Sequence, residues 1–208
     1  MPSTTDIMKW VINVIGPVNK DAKALDVATG TGIFARALSD AGCSSVLGID
    51  ATIEMLDQAR DTEPTVDSNA PAYLQCDAAS MPFPDDSFDL VTCRLAVHHF
   101  AHPQIQLQEM ARVCKPGGKV VVVDLVSVGD TKAAAEHNRL EILRDPSHTQ
   151  ALFRLCNLVA NEKLKVVNSS NCDMDKIPRI EVLMDLEAWM ESTNTLNDAR
   201  EEIRTSML

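Results

Sequence analysis

The sequence predicts an α/β fold, a doubly wound and mostly parallel sheet with helices on both faces. Three observations predict it. Short apolar runs alternate with segments whose apolar residues recur at helical spacing. A glycine loop closes the first of those runs, and four consecutive valines, Val120 to Val123, mark a strand covered on both faces.

Ala24-Leu25-Asp26-Val27-Ala28 forms the first strand and Thr29-Gly30-Thr31-Gly32 closes it, after which Ile33, Phe34, Ala37 and Leu38 fall at helical spacing. The unit then repeats. Ser45 to Ile49 is a second run ending in Asp50, with Thr52 placed to cap a helix that carries Ile53, Leu56 and Ala59. Pro71 to Cys76 reads as the third strand, Phe88 to Cys93 as the fourth and Lys119 to Val126 as the fifth. Ile105, Leu107, Met110, Ala111 and Val113 mark a helix before the fifth strand, and Lys115-Pro116-Gly117-Gly118 stops it with a tight turn. Further on, Lys132 to Arg144 and Gln150 to Ala160 read as helices, Lys163 to Val167 as a sixth strand and Leu196 to Leu208 as a terminal helix. Glu181 to Met190 fits either a strand or a helix.

The chain has 208 residues, and its 19 Lys and Arg against 30 Asp and Glu give a formal net charge of −11. This is the size of one domain, with a core at 22–127 and a region at 128–208 on the substrate side. An acidic chain without a basic run is a poor match for nucleic acid phosphates or anionic lipid. The six cysteines, at 43, 76, 93, 114, 156 and 172, form no C-x-x-C pair, so thiolate metal binding is not expected. They fall mostly in apolar segments, as in Leu90-Val91-Thr92-Cys93, where a thiol packs as a small hydrophobe. No window approaches the roughly 18 apolar residues of a membrane span, and the first residues lack a secretory pattern, so a cytoplasmic protein is expected.

Gly30-Thr31-Gly32-Ile33-Phe34-Ala35 matches G-x-G-x-x-G/A, the turn that lets backbone pass close to a bound nucleoside. Asp50 stands 20 residues after Gly30 at the end of the second strand, where a carboxylate accepts from ribose hydroxyls. Together they point to an adenosine-containing cofactor. Asp26, inside the first strand, selects among such cofactors, because a carboxylate there repels a pyrophosphate and suits a cation. A nicotinamide-dependent oxidoreductase is therefore disfavoured. S-adenosylmethionine joins an adenosine to an ammonium and a sulfonium.

Asp26-x-Ala28-x-Gly30-x-Gly32 resembles motif I of class I methyltransferases, with Ala28 where a first glycine is frequent. The resemblance extends to the ubiquinone/menaquinone-biosynthesis-like branch of small-molecule methyltransferases. It is carried by Gly48-Ile49-Asp50 with Met55-Leu56, by Cys76-Asp77-Ala78, by Met81-Pro82-Phe83-Pro84-Asp85-Asp86-Ser87-Phe88-Asp89 and by Arg112-Val113-Cys114-Lys115-Pro116-Gly117-Gly118. It implies a Rossmann-like methyltransferase using S-adenosylmethionine. Asp26, Ala28, Gly30 and Gly32 would line the methionine end, Asp50 with Ala51 the ribose, Asp77 and Ala78 the adenine, and Met55 would pack on either ring. Arg94 falls where such enzymes close the cofactor pocket.

Methyl transfer needs nucleophile, methyl carbon and sulfonium held in line, with a base only where the nucleophile loses a proton. His98 and His99, after the fourth strand, are the candidate bases. His148, in Arg144-Asp145-Pro146-Ser147-His148, is a third, and Ser147 or His148 could equally cap a helix. Asp124 could orient an acceptor or end the strand in solvent. Eight aromatic residues leave few stacking platforms for a nucleobase acceptor, so a small molecule is expected. The family sheet ends in an antiparallel strand for which no apolar run stands out, and only a short segment with Trp10, Val11, Val14 and Ile15 precedes the first strand. An uncovered sheet edge would invite a homodimer. A rival reading follows from the same features: a catalytically impaired relative that binds the cofactor as a partner subunit.

Overall fold

The computed structural model describes residues 9, 11–13, 15–62, 69–124 and 131–146. Five strands form one parallel sheet: β1 (Lys23–Val27), β2 (Ser45–Asp50), β3 (Ala72–Gln75), β4 (Phe88–Arg94) and β5 (Cys114–Val123). Helices α1 (Ile33–Asp40), α2 (Ile53–Asp61), α3 (Pro103–Val113) and α4 (Thr131–Arg144) alternate with them, so the α/β fold read from the sequence is the fold observed. The order across the sheet is β3-β2-β1-β4-β5. The chain thus winds outward from β1 to β3, then crosses back to the other side of β1. That reversal makes the gap beyond the carboxyl ends of β1 and β4 the switch point, where open α/β sheets receive ligands.

Alternation along each strand builds the two layers. Leu25, Val27, Ile49, Val91 and Cys93 pack on one face with Leu107, Met110 and Val113 of α3. Ala24, Val46 and Leu90 pack on the other with Phe34, Ala35 and Leu38 of α1, joined by Val11 and Ile15. Burying one such large aliphatic side chain contributes about 1.5–3 kcal/mol. On the α1 face one row of register-paired residues crosses all five strands: Tyr73, Gly48, Asp26, Thr92 and Val121. Polar atoms therefore occupy the middle of an otherwise apolar layer.

The turn expected at 115–118 forms, but as a protrusion within β5 rather than ahead of it. Cys114 pairs with Phe88 and Lys119 with Leu90, so four residues loop out opposite Asp89. Asp89 holds that loop: its two carboxylate oxygens accept from Lys115 Nζ at 2.9 and 3.0 Å, and Oδ2 also accepts the Lys23 amide at 3.0 Å. Gly117 is left-handed (φ +78°), and a Cβ at Gly118 would lie 2.8 Å from both the Asp89 carbonyl oxygen and Cys114 Sγ. Both glycines are thus required by geometry.

Arg112 ties α3 to the segment before β4. Its guanidinium donates to Glu109 Oε1 and Oε2 at 2.6 and 2.8 Å, to the Phe83 and Met81 carbonyls at 2.6 and 2.9 Å, and to Asp85 at 3.0 Å. The Arg112 hydrogen bonds hold the Glu109 carboxyl below its ordinary range, and Glu109 Oε2 accepts the Met81 amide as well.

One local expectation changes. Thr52 stands at the start of α2, yet its hydroxyl makes no capping bond; its own amide donates to the Asp50 carboxylate. The described cysteines, Cys43, Cys76, Cys93 and Cys114, are free thiols, and all but Cys76 are buried. The expected elements at 150–160, 163–167, 181–190 and 196–208, the last antiparallel strand, Trp10, Val14, Ser147 and His148 lie outside the described residues, as do residues 125 and 126 of the expected fifth strand.

Candidate active site

Every strand of a parallel sheet delivers the chain to the same edge, so the loops after β1, β2, β3 and β4 gather there, with Asp124 at the end of β5. The loop after β1 is the most constrained. Ala28, Gly30 and Gly32 all have positive φ, at +53°, +55° and +76°. The Thr29 amide donates to the Ile49 carbonyl at 2.9 Å and the Gly32 amide to the Thr29 carbonyl at 3.0 Å, which fastens the loop to β2 and closes its turn. A left-handed alanine costs roughly 1–2 kcal/mol, so the alanine in place of a glycine is accommodated under strain.

The two glycines do different work. Around Gly30 nothing lies within 4 Å of where a Cβ would stand. A ligand could therefore reach bare backbone at Gly30. At Gly32 the same position is filled by the Tyr73 hydroxyl and ring and by the Arg36 guanidinium. Gly32 therefore packs inward, at the start of α1.

Asp50 joins the loop to β2. Its Oδ2 accepts the Gly30 amide at 2.8 Å and Oδ1 the Thr52 amide at 2.9 Å. Each oxygen keeps a second lone pair for a further donor. Beyond β3, Asp77 Oδ1 accepts the Ala79 amide at 2.8 Å, leaving the carboxylate on an exposed turn beside the partly buried Ala78. Ala51 is exposed, and Met55 is 41% exposed at the start of α2, a large apolar side chain on the same edge.

Asp26 lies beneath the loop rather than in it. The carboxylate is buried on the α1 face; Thr29 Oγ1 donates to Oδ2 and Thr92 Oγ1 to Oδ1, each at 2.7 Å. Burial drives its pKa up to about 6, against the pull of the two hydroxyls, Arg94 and the Ala35 amide. Arg94, at the carboxyl end of β4, carries the nearby positive charge. Burial pulls its pKa down while Asp26 opposes that, and its Nε is buried with no hydrogen-bond partner among the described residues.

After β4 the chain makes a left-handed turn at Leu95 (φ +52°), whose amide donates to the Val123 carbonyl at 2.8 Å, and then a short 3₁₀ turn, Val97–His99. Asp124, directly after β5, organises that turn. Its Oδ2 accepts the Val97 and His98 amides at 2.7 and 3.3 Å, and Oδ1 faces His98 Nδ1 at 2.5 Å. The two side chains are 0% and 5% exposed, so Asp124 is a buried anchor and not a solvated strand end. The His99 ring stands 4.0 Å from the His98 ring, tilted by 45°. Asp26, Asp124 and Asp50, together with burial as the larger cause, raise the Cys93 thiol well above its ordinary pKa. Three carboxylates thus converge on the end of β4.

The structure brings Asp26, Ala28, Gly30, Gly32, Asp50 and Arg94 to one edge with His98, His99 and Asp124. His148 lies outside the described residues. Reading the sequence missed Thr92, Tyr73 and Leu95. Thr92 had a signal, a hydroxyl inside the apolar run Leu90-Val91-Thr92-Cys93, directly across from Asp26. Tyr73 and Leu95 had none.

A parallel sheet with its switch point beside a glycine loop, and with a carboxylate ending β2, defines a Rossmann-like ligand-binding fold. The chain belongs to the methyltransferase domain family, whose model matches residues 25–122. It is 30% identical over 185 residues to the uncharacterized methyltransferase YcgJ of Bacillus subtilis, covering 89% of this chain and 70% of that protein. The crystal structure of YcgJ superposes with a TM-score of 0.69 at 26% identity, over 95% of this chain and 81% of that one. A ubiquinone/menaquinone biosynthesis C-methyltransferase of Burkholderia multivorans is 38% identical over 108 residues, 51% of this chain and 44% of that enzyme. Against this quinone enzyme the chain therefore spans under half of its relative's length. Phosphoethanolamine N-methyltransferase 2 of Haemonchus contortus, solved in complex with S-adenosyl-L-methionine, gives a TM-score of 0.59 at 25% identity, over 73% of this chain and 34% of that one. No helix among the described residues is long and apolar enough to cross a membrane.

Proposed function

We propose that the protein transfers a methyl group from S-adenosylmethionine to a small-molecule acceptor. The observation that carries this reading is the Gly30–Asp50 couple: open backbone at Gly30, hydrogen-bonded at 2.8 Å to a carboxylate with lone pairs to spare. That is the arrangement a nucleoside ribose needs.

The residues fit the rest of the donor. The buried, unpartnered Arg94 Nε would be satisfied by the carboxylate of the methionine end. Asp26 lies near Arg94 and Asp50 ends β2, carboxylates whose field favours a sulfonium and disfavours a pyrophosphate. Asp26 would act through that field and through Thr29, because Thr29 and Thr92 already donate to its oxygens. Ala28, Gly30 and Gly32 would shape the methionine end, Asp50 with Ala51 would hold the ribose, Asp77 and Ala78 would border the adenine, and Met55 would cover it. When bound, the donor supplies an electrophilic methyl carbon on sulfur.

The remaining work is positioning, with removal of a proton where the acceptor requires it. Asp124 fixes the His98 ring through Nδ1, so His98 would take a proton at Nε2, and the stacked His99 would face the acceptor beside it. His148 is carried as a further candidate from the sequence alone. A small acceptor is favoured by the compounds after which the quinone and phosphoethanolamine enzymes are named. The test is transfer of label from methyl-labelled S-adenosylmethionine across a panel of small hydroxyl, amine and activated-carbon acceptors. Transfer to one of them that is lost in Asp50→Ala is the expected result; a panel without transfer, from a chain that also fails to bind the donor, would overturn the reading.

A further inference from the structure

The chain's only tyrosine, Tyr73, stands on β3, two strands away from the glycine loop. It nevertheless reaches that loop. Tyr73 pairs with Gly48 across β2 and β3, and Gly48 pairs with Asp26 across β2 and β1. Because Gly48 has no side chain, the Tyr73 ring passes close to it: a Cβ there would meet Tyr73 Cδ1 at 2.9 Å and Thr29 Oγ1 and Cγ2 at the same distance. At its far end the ring abuts Gly32, where a Cβ would lie 2.9 Å from Tyr73 Cζ and closer still to the hydroxyl. One aromatic ring thus touches the loop at Gly32 and shares the space over Gly48 with Thr29, the residue that donates to Asp26.

We propose that Tyr73 is a positioning residue for the cofactor, setting the path of the Thr29–Gly32 loop through its packing against Gly32, Gly48 and Thr29. The inference rests on the cofactor reading above and adds to it a residue that need not touch the ligand. Its physical basis is the loop's own strain. Positive φ at Ala28, the residue before Thr29, persists only where surrounding atoms hold it, and on the β2 side of the loop those atoms are the Tyr73 ring, the Ile49 carbonyl and the Asp50 carboxylate. A Cβ at Gly32 or at Gly48, 16 positions apart, would meet the same ring.

The experiment is calorimetric titration of the full chain with S-adenosylhomocysteine, comparing wild type, Tyr73→Phe and Tyr73→Leu, with the cooperative thermal transition of each recorded. Phenylalanine keeps the ring and is expected to bind within about threefold of wild type; leucine removes it and is expected to weaken binding tenfold or more. Uniform 3-fluorotyrosine labelling of the wild type gives a single fluorine resonance, which is expected to shift as the ligand saturates. A folded Tyr73→Leu that binds like wild type overturns the proposal. Should that variant not fold, a fluorine resonance unmoved by saturating ligand overturns it instead. Absence of binding by the wild type is a different failure, that of the cofactor reading itself, and takes the inference with it.

Discussion

Thr92 on β4 stands directly across from Asp26 on β1, and its hydroxyl donates to the buried carboxylate at 2.7 Å. With Thr29 on the other oxygen, the pair places an acidic group under the first turn of α1, where helix dipole and hydroxyls favour charge while burial opposes it. Burial wins.

That outcome fixes a pH dependence. Asp26 holds its proton up to about pH 6 in the fold, against an ordinary value of 3.8. Between those values the folded chain binds more protons than the unfolded one, so this group's stabilising contribution is complete below about pH 4 and disappears as pH rises through 6. Its size is on the order of 3 kcal/mol. Urea unfolding from pH 4 to 7 is expected to show Asp26→Asn gaining on wild type as pH rises. Parallel curves would contradict it.

Ala28 offers a direct check on loop strain. Ala28→Gly removes a left-handed alanine at φ +53°, and after the added chain entropy of glycine the expected gain in stability is about 0.5–1 kcal/mol. Chemical denaturation measures it, and a loss of stability would mean that the loop relaxes around alanine.

Arg112→Lys keeps the charge and loses the fork. Contacts to Glu109, Phe83, Met81 and Asp85 cannot all be remade by one ammonium. The expected loss is about 2 kcal/mol in unfolding free energy. A change below about 0.5 kcal/mol, the range of ordinary surface substitutions, would show that α3 and the segment before β4 hold together without it.

The sheet was legible because each strand is a short apolar run ended by a polar or glycine signal, as in β1 and its loop. Helical periodicity likewise marked α1 and α3. Asp50 was legible because it ends a strand. What the sequence hid depends on register. The pairing of Asp26 with Thr92, and the reach of Tyr73 across Gly48, arise only when strands far apart in the chain are set side by side. The same holds for the bond between His98 and Asp124, which lie 26 residues apart.

His98 and Asp124 carry a prediction of their own. His98→Ala and His99→Ala are expected to leave donor affinity within about twofold while lowering turnover by roughly 10²-fold or more if either acts as the base. Asp124→Asn is expected to change the pH dependence of turnover, since the ring would lose the carboxylate that orients it. Matched losses of binding and turnover would assign these residues to the architecture of the pocket.

The most direct test of the central claim is calorimetric titration of wild type and Asp50→Ala with S-adenosylmethionine and S-adenosylhomocysteine, with NADH as the control. Wild type is expected to bind the first two and not the third, and Asp50→Ala to weaken that binding by roughly 1.5–3 kcal/mol as charged ribose hydrogen bonds are lost. Tight binding of NADH alone, or an Asp50→Ala chain that binds S-adenosylhomocysteine as wild type does, would contradict it.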